Sequence, residues 1–314
     1  MRELARALGF PEAEIELAIS GERGLTLVIR RSAGDARRAV IRVHRGDGPN
    51  RVAREYQVLS EIVARAERSL AITVPEPLAR APWGPGEAAA FSYLEGRPLR
   101  PAHDPMALRS QLEHVRVWLA DLWILEPPEA IGPVYALGPA LDGIEAEVGA
   151  LGPRVVPAWR RVRECAARLD AAPPVFCHFD LAPGNLLLTA LGVRALDWEY
   201  ARRGHRFYDW FRFVTQVALG WRQSPPSLGG TLVDDERILA PVRRAFFERG
   251  ELSRVVASET IAALALGGVD PVEADSAMRA ALLHYLALQL AWRERRSMLE
   301  LLLTAESVFG RAAA

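Results

Sequence analysis

The residues best suited to chemistry concentrate in one stretch, His178-Phe179-Asp180-Leu181-Ala182-Pro183-Gly184-Asn185, followed after a short interval by Asp197. A strand ending at Cys177 can deliver the Asp180 carboxylate to a loop. Pro183 and Gly184 then turn the chain so that the Asn185 amide oxygen points back to the same place. A hairpin returns a second anionic oxygen, that of Asp197. Magnesium takes hard oxygen ligands of this kind and completes its shell with water and phosphate. Phosphoryl transfer needs little more from a protein than an aligned hydroxyl and neutralised phosphate charge. The pattern assigns Asp180 to orient a hydroxyl and accept its proton, and Asn185 and Asp197 to hold magnesium. Any one of the three alone reads as a loop cap or a strand end, so the assignment rests on their order and spacing. Asparagine occurs only at Asn50 and Asn185, which argues against a position that merely needs a polar loop residue.

The elements that must position these groups follow from periodicity. Strands are expected over 14–20, 24–31 and 38–44, with Arg31-Ser32-Ala33-Gly34-Asp35 turning the second into the third. Pro49 and Asn50 introduce a helix to about Leu70, with Val52, Tyr56, Leu59 and Val63 as its apolar stripe. Pro75 and Pro77 close that unit, Ala88 to Leu94 reads as a further strand, and Glu95-Gly96-Arg97-Pro98 reads as a linker. A helix opened by Asp104-Pro105 runs to about Leu125, its stripe including Met106, Leu112, Val115, Leu119 and Leu122. Further helices are expected near 157–169, 206–219, 234–247, 253–266 and 272–309. They are interrupted by a hairpin of Leu186 to Leu188 with Val193 to Leu196 around Thr189-Ala190-Leu191-Gly192.

The 314 residues exceed the usual single-domain size, which predicts two packed lobes. Basic and acidic residues balance at 39 each, so no excess charge points to nucleic acid or an anionic membrane as a partner. Every basic residue is arginine, because the chain contains no lysine. Cys165 and Cys177 fit neither a disulfide framework nor a zinc site and suit a reducing compartment. Met1 to Phe10 reads as a short polar helix without the apolar core of a signal peptide, and Ala280 to Trp292 falls short of a membrane span. These features predict a soluble, cytoplasmic protein of undetermined oligomeric state.

His178, Asp180, Leu181 and Asn185 stand at the spacing of the kinase catalytic loop, and Asp197-Trp198-Glu199 stands where protein kinases carry Asp-Phe-Gly. On these residues the chain resembles the aminoglycoside phosphotransferase and choline kinase-like family, over about Glu14 to Trp210. The resemblance implies an α+β, protein-kinase-like bilobal fold. Residues 1–95 would form a nucleotide-binding lobe of antiparallel sheet with one helix and a hinge strand. Residues 96–314 would form a larger, mainly helical lobe with the catalytic loop and acceptor site. It implies ATP and Mg2+ as cofactors, and transfer of the gamma-phosphoryl group to a hydroxyl of a small polar acceptor such as an aminoglycoside, sugar, amino sugar or amino alcohol. Asp180 would be the catalytic aspartate, and Asn185 and Asp197 the metal ligands. Only a short stretch separates Asp197 from Asp209 and no Ala-Pro-Glu follows, which leaves no activation segment for a protein acceptor.

Weaker signals lie in the first lobe. Ala39-Val40-Ile41-Arg42 resembles the strand ending in the phosphate-pairing lysine of kinases, with arginine in its place and Glu55 as the expected ion-pair partner. The bland alternative for the pair is a strand-edge arginine and a solvated glutamate. Ser20-Gly21-Glu22-Arg23-Gly24 sits where a phosphate-covering loop belongs, with Gly21 and Gly24 permitting close backbone approach, although a plain hairpin turn reads the same way. Ser92-Tyr93-Leu94 resembles the hinge whose backbone bonds adenine.

Phe179 occupies a position where the family often has glycine. Asp209 resembles a family aspartate bracing the loop and is expected to be structural. His178 is expected to support the loop by hydrogen bonding, and His205 and His284 to be ordinary packing or surface residues. Trp118 and Trp123 read as core, and Asp234-Asp235-Glu236 as acids at a helix start. The alternative function is a nucleotide-binding pseudokinase in which Arg42 no longer supports turnover.

Overall fold

The computed structural model describes residues 1–21, 24–32, 36–44, 49–220, 236–288 and 295–307. Along the chain run α1 (Arg2–Ala7), β1 (Glu14–Gly21), β2 (Gly24–Arg30), β3 (Arg38–His44), α2 (Arg51–Arg65), α3 (Arg68–Ala71), β4 (Pro77–Trp83), β5 (Gly86–Ser92) and β6 (Arg97–Pro98). Next come α4 (Pro105–Trp123), β7 (Val134–Tyr135), α5 (Leu137–Asp142), α6 (Glu145–Gly149), α7 (Val156–Ala171), β8 (Val175–Cys177), β9 (Leu186–Thr189) and β10 (Gly192–Ala195). The last elements are β11 (Arg202–Gly204), α8 (Tyr208–Gly220), α9 (Glu236–Phe246), α10 (Glu251–Leu266), α11 (Ala274–Leu288) and α12 (Arg295–Thr304). They group into two compact units. One holds Met1–Pro98, Pro127–Ile131 and Asn185–Ala201, and the other holds Leu99–Glu126, Gly132–Gly184 and Arg202–Ala314.

The first unit is built on an antiparallel sheet of order β1-β2-β3-β5-β4, which makes β3 central. Strand alternation sorts its residues. Leu25, Leu27 and Ile29 of β2 and Ala39, Ile41 and Val43 of β3 are buried in one core with Leu4 of α1 and Leu8 just after it. Each of the leucine, isoleucine and valine side chains contributes roughly 1.5–3 kcal/mol when fully buried. The same period of two puts Arg42 on the opposite face, where α2 packs on β3, β4 and β5. Asn50 caps α2 by accepting a hydrogen bond from the Ala53 amide at 3.0 Å.

The buried residues of α2 are Val52, Glu55, Val58, Leu59 and Ile62, with Tyr56 and Val63 only partly covered. This is a rotation from the expected stripe, and it carries Glu55 inward. The helix expected to reach Leu70 instead breaks at Ala66 and Glu67, which are extended, before the short α3. Strand β4 was not apparent in the sequence, because Pro77 at its first residue reads as a breaker; an edge position tolerates the missing donor. The expected linker is in part a strand, since Arg97 and Pro98 pair with Leu188 and Leu187.

The hairpin β9–β10 pairs Leu186 with Ala195 and Thr189 with Gly192, so Ala190 and Leu191 form its two-residue turn. The Thr189 hydroxyl donates to the Gly192 carbonyl at 2.9 Å and accepts from the Leu191 amide at 3.1 Å. The Ala195 amide donates to the Thr73 carbonyl at 2.9 Å, which ties the hairpin to the segment after α3.

The second unit is mainly helical. Helix α4 packs on α10, and α11 packs on α5, α7 and α8. Asp104 caps α4 by accepting from the Ala107 amide at 2.8 Å, and Pro105 follows at the first helical position. Met106, expected in the α4 stripe, is 82% exposed because it lies in the first turn on the face away from Leu108 and Leu112. Trp118 and Trp123 are core, as expected. Residues 271–273 form a turn of 3-10 helix, and α12 ends at Thr304, so helix does not fill the expected span of 272–309. Phe176, Phe207, Trp210, Phe211 and Phe213 are fully buried and anchor the helices around a small sheet of order β7-β11-β8. Among the described residues no helix is long and apolar enough to cross a membrane.

Candidate active site

In the first unit the expected pair forms and extends. Arg42 Nη1 donates to Glu55 Oε2 at 2.5 Å and to Asp197 Oδ1 at 2.7 Å, while Nη2 donates to Glu199 Oε2 at 3.1 Å. Neither bland reading fits, since β3 is central and Glu55 is 3% exposed. The other Glu55 oxygen accepts from the Trp198 amide at 3.2 Å. One buried carboxylate therefore joins β3 to the Asp197-Trp198-Glu199 segment. Trp198 is fully buried and donates its indole N–H to the Ala195 carbonyl at 3.1 Å.

Electrostatics follow from this arrangement. Burial pushes the Glu55 carboxyl up to about 7, against the pull of Arg42 and with a further push from Asp197. Burial opposes the charge on Arg42, but Glu55, Asp197 and Glu199 outweigh it and hold the guanidinium protonated above its ordinary value. Arg51 donates to Glu199 Oε1 at 2.7 Å and to the Tyr200 hydroxyl, and lies over the Tyr200 ring.

Replacing Arg42 with Met leaves Glu55 buried without its cation. The expected cost is about 3–5 kcal/mol of folding stability, measured by urea denaturation; a cost under about 1 kcal/mol would mean that the pair is no more than a surface contact.

Asn185 and Asp197 meet at one end of the hairpin. The Leu196 amide donates to the Asn185 carbonyl at 2.9 Å, just past the Leu186–Ala195 pair, and Asp197 is the next residue. Asp197 adopts a left-handed conformation (φ 64°, ψ 60°), which an aspartate tolerates better than most residues, and its side chain is 35% exposed. An amide and a carboxylate at this hairpin end are the hard-oxygen donor types that could hold magnesium, whose remaining ligands would be water and phosphate. Among the described residues no group of three or more His, Cys, Asp or Glu is arranged for a metal.

Gly21 and Gly24 pair with each other across the β1–β2 turn, and Glu22 and Arg23 between them lie outside the described residues. A Cβ on Gly24 would lie 2.4 Å from the Val43 carbonyl oxygen, so the neighbouring strand alone demands glycine there. The Ser92 amide donates to the Glu76 carbonyl at 2.8 Å and the Tyr93 amide to the Arg38 carbonyl at 3.4 Å. These bonds do not involve Leu94. The acids Asp234 and Asp235 lie outside the described residues, as does the side chain of Glu236.

In the second unit, β8 delivers the loop that begins at His178. Asp209 is fully buried on α8 and accepts from the amides of His178 at 2.6 Å and Phe179 at 2.9 Å. Burial pushes its carboxyl up to about 7, although both amides and Arg212 favour its charge. The expected structural aspartate thus braces the loop rather than capping its own helix. His178 supports the loop through its ring, with Nδ1 3.3 Å from the Asp180 amide. Phe179 has φ 66°, which accounts for a glycine preference at this position; it stacks on Tyr208 with ring centroids 4.0 Å apart. Asp180 pairs with Arg212 of α8.

Arg212, Arg51 and Tyr200 were not singled out from the sequence, and Glu199 only as a member of the Asp197-Trp198-Glu199 triplet, without the role it has here. Arg212 carried a usable signal, because it lies three residues after Asp209 and so shares its helix face.

Behind Tyr208, the Nε2 of His205 lies 3.1 Å from the Nδ1 of His284, both rings buried. Burial lowers His284 to about 4 from its ordinary 6.5, and burial together with His284 lowers His205 well below that value. The unfolded chain therefore takes up protons first as the solution is acidified. The pair's contribution to stability is present above about pH 6.5 and is lost as pH falls through 4. His284→Phe should flatten the fall in thermal midpoint between those values. An unchanged slope would show that the pair does not set it.

The chain spans close to the full length of several solved structures. A thermostable mutant of an aminoglycoside phosphotransferase, in ternary complex with ADP and hygromycin B, is 12% identical with TM-score 0.56, covering 100% of this chain and 98% of that one. A choline/ethanolamine kinase family protein from Mesorhizobium loti is 17% identical with TM-score 0.53, covering 97% and 94%. Choline kinase from Cryptosporidium parvum Iowa II is 14% identical with TM-score 0.52, covering 96% and 86%. At these identities the likeness is one of fold, and the α+β fold is protein-kinase-like. No curated protein matches the chain. The model of the phosphotransferase enzyme family matches residues 21–247, and the chain belongs to that family of enzymes acting on hydroxyl groups.

Proposed function

We propose that the protein is an ATP- and magnesium-dependent kinase that transfers the gamma-phosphoryl group to a hydroxyl of a small polar molecule in the cytoplasm. The observation that carries the reading is the Arg42–Glu55 pair and its continuation to Asp197 and Glu199 in a chain of this family. The lobe of residues 1–95 takes the nucleotide. Arg42, positioned by Glu55, neutralises phosphate oxygens with a planar donor fork in place of an ammonium. Backbone at Gly21 and Gly24 covers the phosphates, and backbone from Ser92 to Leu94 receives the adenine edge, with the amide of Leu94 the one outside the sheet bonds described above.

Asn185 and Asp197 hold magnesium, which when bound offsets the charge of the phosphate oxygens. Asp180 orients the acceptor hydroxyl and takes its proton. The acceptor pocket is built by residues 96–314, and the acceptor belongs among aminoglycosides, sugars, amino sugars and amino alcohols. ADP and hygromycin B in the solved relative support a nucleotide and a small acceptor of this type.

A screen with gamma-labelled ATP, magnesium and a panel of hygromycin B, choline, ethanolamine, glucosamine and glucose tests the reading. Label transferred to at least one acceptor is expected. Magnesium-dependent ATP binding with no transfer would favour the pseudokinase instead. Arg42→Lys probes the substituted position. One ammonium can replace Nη1 between Glu55 and Asp197 but forfeits the Nη2 bond to Glu199, a charge-assisted bond worth about 1.5 kcal/mol. A roughly tenfold loss in kcat/KM for ATP is expected, and a gain would mark a degraded site.

A further inference from the structure

Three residues at the start of α8 engage three consecutive residues of the loop. Tyr208 stacks on Phe179 with the rings 7° from parallel, Asp209 receives the amides of His178 and Phe179, and Arg212 pairs with the Asp180 carboxylate. The spacing has a helical cause, since positions 208, 209 and 212 lie within little more than one turn and 209 and 212 share a face. Phe179 is held at φ 66°, a conformation that costs a non-glycine residue energy unless its surroundings fix it. Tyr208 supplies that fixing contact, and Tyr135 adds an edge contact to the Phe179 ring at 5.0 Å. The backbone leading to Asp180 is thereby set before its side chain is considered. The Arg212 side chain is 13% exposed and that of Asp180 28% exposed, so the ion pair is largely shielded and its geometry is not that of a loose surface contact.

We propose that Arg212 is a positioning residue for the phosphotransfer reaction, clamping one oxygen of the Asp180 carboxylate so that the group presents a fixed face to the acceptor hydroxyl. The inference rests on the kinase reading of Asp180. It assigns to α8 a function beyond bracing the loop backbone: Asp209 sets where the loop runs, and Arg212 sets how its carboxylate is turned. Arginine suits the task because its guanidinium stays charged and reaches one carboxylate oxygen through Nη2 from a helix that already braces the loop. Misplacement of a reacting group by about 1 Å can cost on the order of 10²-fold in rate.

The test uses the full-length protein and the best acceptor from the panel of hygromycin B, choline, ethanolamine, glucosamine and glucose. Arg212→Met should lower kcat by about 10²-fold with KM for ATP unchanged. Arg212→Lys should recover part of that loss. A merely structural residue would lower the thermal midpoint without this split between kcat and KM. In a thermal-unfolding cycle of Arg212→Met, Asp180→Asn and the double variant, the double variant should lose less than the sum of the single losses, because the same contact is removed twice. Additive losses would overturn the proposal, as would a folded Arg212→Met variant whose kcat is unchanged or raised. If Arg212→Met does not fold, Arg212→Lys decides in its place: reduced kcat at unchanged KM supports the clamp, and unchanged kcat overturns it. Should the wild-type protein transfer phosphate to no member of the panel, the kinase reading fails, while the unfolding cycle still judges whether Arg212 acts on Asp180.

Discussion

Asp180→Asn is expected to lower turnover by about 10²–10⁴-fold, the range spanned by removal of a positioned general base, while leaving magnesium-dependent ATP binding intact. The substitution keeps the side chain's shape but removes its capacity to accept a proton. The loop itself should persist, because it is held by Asp209 through the amides of His178 and Phe179 and by stacking of Phe179 on Tyr208. The proposed nucleotide contacts, Arg42 and the glycines of β1 and β2, belong to the other unit. Loss of the Arg212 ion pair should cost about 1.5–3 kcal/mol of stability, as for a charge-assisted bond whose partners are largely shielded. Steady-state kinetics and calorimetric titration with ATP separate the two effects. Near-normal turnover would remove Asp180 from the role of base, and loss of ATP binding would show that the substitution disturbs more than the proton acceptor.

Asp197→Ala is expected to remove productive magnesium binding and with it transfer, by on the order of 10³-fold or more if the metal supplies several kcal/mol of charge stabilisation. Folding should be little affected, for two opposing reasons. Alanine at φ 64° is strained by about 1–2 kcal/mol. Against this, Asp197 raises the Glu55 carboxyl by repulsion, and its removal leaves the Arg42–Glu55 pair relieved of a competing anion. Nucleotide-induced thermal stabilisation, measured with and without magnesium, checks the result. The variant should respond to ADP equally in both conditions, whereas the wild type should gain from the metal. A preserved magnesium effect would move the metal site elsewhere.

Much of this site was legible in the sequence because its signals are local. The order His178, Asp180, Asn185, Asp197 survives in the chain as spacing, and the hairpin that returns Asp197 is announced by alternation on either side of Ala190 and Leu191. Arg42 and Glu55 were readable as a pair, but their burial was not. Counting apolar residues placed the α2 stripe through Tyr56 and Val63, whereas the helix turns Glu55 inward because Arg42 and the Trp198 amide satisfy its carboxylate. A buried, satisfied charge looks like a surface residue in composition. Likewise β6 looked like a linker, since two residues carry no periodicity, and only its partner β9 makes it a strand. Arg212 was missed because its meaning depends on a contact across 32 positions, and arginine is the commonplace cation of this lysine-free chain. The positive φ of Phe179 is also invisible in its own side chain, and the family's glycine preference was the one trace of it.

Phosphorus NMR of ATP, magnesium and the panel of acceptors, with wild-type protein and Asp180→Asn side by side, is the most direct test of phosphotransfer through Asp180. A phosphomonoester resonance should grow with one acceptor as ATP is consumed by the wild type, and none should appear on the same timescale with the variant. ATP bound with magnesium but no phosphomonoester formed, or equal rates for the two proteins, would contradict it.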